Sequence, residues 1–192
     1  MTNRYKNIIL VISGTMASGK DAVLRLLRKN VDFSFVKSFT SRPRRHNEKT
    51  SPPYKFISRK KFKKLVSKNF FWEFKKLYGH FYGIAKIDIR RALARQKPVV
   101  FRVNEQGADK IKSFFPETKS VFIAPPSLEV VKERAARRKS VPRRLKNKRL
   151  AAAKKQLNSL TKDQKWDYVI VNKDLRQSVE KIGRVIGSLK TQ

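Results

Sequence analysis

The sequence predicts an α/β fold, a parallel β-sheet with helices on both faces. Three observations predict it. Short β-branched runs alternate with amphipathic stretches along the 192 residues. Those runs, at 8–12, 99–103, 121–124 and 168–171, are almost continuously apolar, as in strands buried on both faces. Between 38 and 85 the rhythm breaks into shorter strand signals, which predicts a small inserted subdomain.

The elements follow in order. Residues 8–12 (Ile-Ile-Leu-Val-Ile) form the first core strand. A glycine-bounded loop leads into 22–27, which has helical spacing. Residues 40–53 carry Pro43, Pro52, Pro53 and many charges, and read as a loop. Residues 54–57 alternate as a short strand, and Ser58 can cap a helix over 59–67. Residues 70–78, with Gly79 as the turn, predict a strand and hairpin. A helix over 87–95 stops before Pro98. A strand at 99–103, a helix at 105–115 and a strand at 121–124 come next. Ser127, behind Pro125 and Pro126, caps a helix running to about Arg138. A basic stretch, 137–149, leads into a helix over 145–160. The strand 168–171 and an amphipathic helix over 175–189 close the chain.

Composition narrows the function. With no cysteine, disulfides, thiolate metal sites and a cysteine nucleophile are excluded. His46 and His80 are too few and too far apart for a histidine zinc site. Apolar residues make up 40% of the chain, enough for a packed core and too many for a disordered one. Lysine and arginine total 48 against 14 acids, a net charge of +34. Such a surface attracts polyanions: nucleotides, nucleic acid or an anionic membrane. A solvated surface tuned to an unusual cytoplasm is the alternative reading. The longest apolar run near the start is five residues, at 8–12, too short for a membrane span or a secretory signal. The expectation is a cytoplasmic protein with no membrane partner.

The strongest local signal is Gly14-Thr15-Met16-Ala17-Ser18-Gly19-Lys20-Asp21, which follows a buried strand and opens a helix. Its glycines let the backbone curl so that several N–H groups face one anion, and the helix adds its positive end. Lys20 is placed to reach the β- and γ-phosphates, and Ala22 continues the loop into the helix. The bland alternative is a structural turn that happens to hold a lysine. The pattern predicts a P-loop NTPase-type sheet. Asp21 stands where Ser or Thr is usual, and is a candidate Mg²⁺ ligand.

An ordered set of further motifs resembles the guanylate kinase family over about residues 6–186. They are Ser38-Phe-Thr-Ser-Arg42-Pro-Arg-Arg45, Tyr54-Lys-Phe56, Phe71-Trp-Glu73, Gly79-His-Phe-Tyr82-Gly83, Gln106-Gly107, Ile123-Ala-Pro-Pro-Ser127 and Val169-Ile-Val-Asn172. The resemblance implies phosphoryl transfer from ATP to GMP or dGMP with Mg²⁺. It assigns the acceptor's phosphate to Arg42, Arg45, Tyr54 and Tyr82, a pairing of guanidiniums and phenols suited to a dianion. It assigns guanine to Glu73 and Ser38, because a carboxylate accepts from both N1–H and the exocyclic amine. Asn104 falls in the same acceptor set. Arg134, Arg138 and Arg149 become the arginines of a lid that closes over the triphosphate, where transferring charge needs stabilising. Asn172 resembles the family's adenine-loop asparagine, and an ordinary turn residue is the alternative. The implied division is a core of 1–37, 86–136 and 161–192, an acceptor-binding insertion of 38–85, and an arginine-rich lid of 137–160, in a monomer or homodimer.

Three departures stand against the family pattern. Asp21 replaces the loop hydroxyl, Ile84 replaces a hydroxyl against the base, and Arg102 and Asn104 replace strand-end carboxylates. The Gly-Lys-Asp triplet, Ile84 and Asn104 are similar to ribose 1,5-bisphosphate phosphokinases, which generally lack the carboxylate resembling Glu73. That leaves a sugar-phosphate kinase as an alternative. A non-catalytic guanylate kinase-like module that binds nucleic acid is another, although such modules typically lose the loop lysine retained here as Lys20.

Overall fold

A computed structural model describes residues 8–44, 48, 54–137, 143–160 and 165–189. Five strands form the main sheet, in the spatial order β2 (Ser34–Val36), β7 (Val99–Arg102), β1 (Ile9–Gly14), β8 (Lys119–Ala124) and β9 (Tyr168–Val171). Every neighbouring pair runs parallel. The apolar runs lie in the middle because both of their faces are covered. On one face Leu10, Ile12, Val100, Val121 and Ile123 pack against α1 (Lys20–Asn30) and α7 (Leu175–Ser188). On the other, Ile9, Val11, Phe101 and Phe122 pack against α3 (Lys86–Leu93) and α4 (Glu105–Phe114). Burying each such aliphatic side chain contributes roughly 1.5–3 kcal/mol.

A second sheet has the order β4 (Lys55–Phe56), β3 (Phe39–Thr40), β6 (His80–Ala85) and β5 (Phe71–Leu77). The β5–β6 hairpin is antiparallel and turns at Tyr78-Gly79. Phe62, on α2 (Arg59–Ser67), lies between Phe71 at 4.4 Å and Phe81 at 5.2 Å, ring centroid to centroid. Gly83 is required beneath it, since a Cβ there would meet Phe71 at 2.9 Å and Phe62 at 3.0 Å. A third unit pairs α5 (Leu128–Ala136) with α6 (Arg143–Leu160), and Val131 and Ala153 pack on Ala17 of the phosphate loop.

Helix starts follow their side chains. The Ser58 and Ser127 hydroxyls accept from Lys61 N–H and Val130 N–H, and the Asn104 and Asp174 side chains do the same for α4 and α7. Two strands differ from the sequence reading. β2 was not expected, and β3 takes Thr40 out of the expected loop. Each is two or three residues long, too short for an alternation to register, and each is held by pairing with a longer strand. Among the described residues no helix is long and apolar enough to cross a membrane.

Candidate active site

The phosphate loop is built by close approach of backbone to backbone. At Gly14 (φ +149°) a Cβ would lie 2.3 Å from the Ile123 carbonyl oxygen on β8. At Gly19 (φ +87°) a Cβ would lie 2.3 Å from the Asn172 amide nitrogen. Both positions therefore exclude a side chain, and Gly19 also takes the left-handed backbone that starts α1. Lys20 Nζ donates to the Gly14 carbonyl at 3.2 Å and to the Thr15 carbonyl at 2.9 Å, so the ammonium lies along the loop. Asn172 is buried; its amide donates to the Ser18 carbonyl at 2.8 Å and its oxygen accepts from Ser178 Oγ at 3.0 Å. Arg134 donates to the Ala17 carbonyl at 3.2 Å. Two residues expected at the nucleotide thus brace this loop.

Asp21 is ion-paired with Arg102, at the end of β7. The arginine side chain is only 6% exposed, against 44% for the aspartate. Burial lowers the Arg102 pKa, but the Asp21 carboxylate outweighs it, and the guanidinium is held charged. Arg102 Cζ also sits 4.0 Å from the centroid of the Tyr54 ring. Burial pushes the Tyr54 phenol up, so it stays protonated as a hydrogen-bond donor.

On the acceptor side Arg42 is buried, bonded to both Glu48 oxygens at 2.7 and 3.0 Å and to the Pro43 carbonyl at 2.7 Å. Tyr54 stands between the two arginines, with Arg42 Cζ 5.5 Å from its ring and the Tyr82 ring 5.6 Å away. Glu73 lies on β5 with Lys110 Nζ at 3.9 Å. A Cβ on Gly107 would reach Glu73 Oε1 at 3.2 Å, so that glycine leaves room for the carboxylate. Lys75, two residues along the same strand, donates to Asn104 Oδ1, which also caps α4 by accepting from Gly107 N–H. Burial lowers the Lys75 pKa, against the opposing pull of Glu73.

These groups converge on one cavity of about 760 Å³, whose walls include Lys20, Ser38, Arg42, Glu73, Tyr82 and Arg149. Arg149 Cζ lies 4.5 Å from the Tyr78 ring, joining α6 to the tip of the β5–β6 hairpin. Arg134 and Asn172 instead line a neighbouring cavity of about 360 Å³ beside Gly19. Arg45 and Arg138 lie outside the described residues.

A family model described as guanylate kinase matches residues 6–189. A guanylate kinase of Clostridioides difficile is 34% identical over 188 residues, covering 97% of this chain and 90% of the relative. One from Clostridium tetani is 33% identical over 185 residues, covering 96% and 88%. The crystal structure of guanylate kinase from Anaplasma phagocytophilum superposes with a TM-score of 0.75 at 26% identity, over 97% of this chain and 87% of that one. The chain belongs to the guanylate kinase family. A shikimate kinase from Acinetobacter baumannii, at 17% identity and a TM-score of 0.51, shares the fold alone.

Within a guanylate kinase framework the departures become coupled. The acid gained at Asp21 is neutralised by the base gained at Arg102, and Asn104 has Lys75 as its partner. Asp21, expected as a metal ligand, is engaged by Arg102 in this structure. Mg²⁺ is ordinarily held by one or two carboxylates together with substrate phosphates. Here the loop carboxylate is committed to a buried guanidinium, and the described residues hold no cluster of three acidic or histidine side chains. Glu48 and Lys75 were missed in the sequence. Lys75 was visible as the residue two places after Glu73, hence on the same strand face. Glu48 carried no local signal.

Proposed function

We infer that this chain catalyses transfer of the γ-phosphoryl group of ATP to GMP, giving ADP and GDP. The observation that carries the reading is a single cavity whose wall holds both the phosphate-loop Lys20 and Glu73, together with Arg42, Tyr54 and Tyr82. In that arrangement Glu73 accepts from guanine N1–H and the exocyclic amine, with Ser38 at the carbonyl edge. Arg42, Arg45 and the two phenols hold the acceptor phosphate as a dianion. Lys20 and the loop amides from Gly14 to Ala22 hold the donor phosphates, and Asn172 keeps the loop in shape. Phosphoryl transfer asks little covalent chemistry of the protein; it asks for alignment and positive charge on the moving group. Arg138 and Arg149, from the lid at 137–160, and Arg134, on α5 just before it, supply that charge over an acceptor insertion of 38–85. Mg²⁺, which the family implies, enters with ATP as part of the substrate. The enzyme works in the cytoplasm, where its nucleotides are.

The sugar-phosphate alternative is disfavoured by the retained carboxylate at Glu73 and by relatives that are guanylate kinases. The test is ADP release with GMP, dGMP, AMP, UMP and ribose 1,5-bisphosphate as acceptors, for the parent and for Glu73→Gln. The substitution sets a donor against the guanine amine and should cost about 2–4 kcal/mol in kcat/KM for GMP. Turnover of the bisphosphate in preference to GMP, or unaltered use of GMP by the variant, would refute the reading.

A further inference from the structure

Arg102 is the strongest unassigned feature of the molecule. It is a charged side chain more than nine-tenths buried, on the wall of the substrate cavity. One terminal nitrogen, Nη1, is committed to Asp21. The other, Nη2, is buried and meets no acceptor in good hydrogen-bond geometry, the Tyr54 side chain being the remaining group that favours the charged guanidinium. Arginine remains ionised in proteins, so this nitrogen is a cationic donor at every working pH. A buried donor left unmet is costly, and buried guanidiniums normally have every N–H engaged. Nη2 therefore marks a place where an acceptor is missing from the protein itself.

The surroundings say what that acceptor is. Tyr54 carries Arg102 4.0 Å from its ring centroid and Arg42 5.5 Å from it, with the Tyr82 ring beside. Two guanidiniums and two phenols around one point suit a phosphate dianion. Asp21 holds the Arg102 guanidinium by its other side, which orients the fork and leaves Nη2 for a second partner. An anion held by the donor loop is less suited, because the Asp21 carboxylate that opens α1 already pairs with the guanidinium and would repel it. Resting on the proposed GMP kinase activity, we propose that Arg102 is a ligand of the acceptor's phosphate, donating to it from Nη2 in addition to the Arg42 contact. Asp21 then acts as the positioning residue for Arg102, and the pair explains why an acid is tolerated in a loop that binds anions: its charge is already cancelled.

The test separates phosphate binding from simple pairing with Asp21. Asp21→Ser removes the need for a counter-charge, so Arg102→Met can be examined in that background as well as in the parent. Affinity for GMP and for guanosine, which lacks the phosphate, is measured by calorimetry in EDTA, and folding is checked by thermal unfolding. D21S/R102M should bind GMP at least tenfold more weakly than D21S, with guanosine affinity unchanged. Equal GMP affinity in D21S and D21S/R102M would overturn the proposal, leaving Arg102 as a partner for Asp21 only. Equal losses for GMP and guanosine would overturn it too, by assigning the effect to pocket shape. Should the double variant fail to fold, Arg102→Lys in the parent keeps the charge but loses the fork. It should weaken GMP and spare guanosine, and unchanged GMP binding there overturns the proposal. A parent that binds no GMP at all would instead refute the activity on which the proposal rests.

Discussion

Replacing Asn172 with alanine tests how the phosphate loop is held. The amide donates to the Ser18 carbonyl at 2.8 Å, and its oxygen accepts from Ser178 Oγ at 3.0 Å, with all three residues buried. Truncation removes the donor to Ser18, and an unmet buried polar group costs about 1–3 kcal/mol. The vacated side-chain volume adds on the order of 1 kcal/mol. Ser178 recovers part of its loss, because the Asp174 carbonyl already lies 2.7 Å from its hydroxyl. A net loss of about 3 kcal/mol lowers the melting temperature of a chain this size by about 6–12 °C. The loop should also lose its preset curvature, raising KM for ATP while leaving KM for GMP within twofold. Thermal unfolding followed by circular dichroism, with steady-state kinetics for both nucleotides, measures the two effects. Saturating ATP should restore part of the lost stability, since ligand that binds only the folded state stabilises it. An unchanged melting temperature with a raised KM for ATP would show that Asn172 contacts the nucleotide and does not brace the loop.

Other consequences follow from the same geometry. Lys20→Ala should lower kcat by at least a hundredfold with an unaltered circular dichroism spectrum, because it removes charge stabilisation at the transferred phosphoryl group; unaltered turnover would refute the assigned role. Asp167 joins Lys112 on α4 to the Ser120 amide and hydroxyl on β8. Burial raises its carboxyl, but Lys112 and Ser120 outweigh that and hold it at about 2. A depressed acid stabilises the fold above its unfolded pKa of about 3.9, and the contribution drains away as pH falls through about 2. Asp167→Asn should therefore be less stable than the parent at pH 6, and the difference should shrink between pH 4 and 2; a constant difference would refute the assignment. The +34 charge predicts binding of single-stranded nucleic acid at low salt. The affinity should fall steeply between about 50 and 200 mM salt as counterion release weakens, and a flat salt response would leave the charge as a surface trait.

The core of the fold was legible because its signals are local. A run such as Val99-Val-Phe needs both faces covered wherever it sits, and Ser58 and Ser127 each mark a helix start within three residues. The phosphate loop was legible for the same reason, since its glycines, lysine and flanking elements are contiguous. β2 and β3 were not, because two or three residues carry no period and owe their extended form to a partner strand. The acceptor residues came from ordered motifs that resemble a family, and physics alone would have left Tyr54 and Tyr82 as packing.

The departures were the least legible part, and the reason is distance along the chain. Asp21 and Arg102 are 81 residues apart, and Lys75 and Asn104 are 29 apart. Read singly, Asp21 is an unwelcome acid beside phosphates, and Arg102 is an unwelcome base where carboxylates are usual. Only the contact between the end of β7 and the start of α1 turns two apparent defects into one ion pair. A carboxylate partnered by a buried guanidinium repels anions less, and that guanidinium also lines the cavity. On the reading of Arg102 as a phosphate ligand, Asp21→Ser with Arg102→Asp removes the cationic donor and sets a carboxylate against the acceptor's phosphate. It should therefore lower kcat/KM for GMP by at least tenfold relative to Asp21→Ser alone, measured by steady-state kinetics; an equal kcat/KM would refute the role given to Arg102.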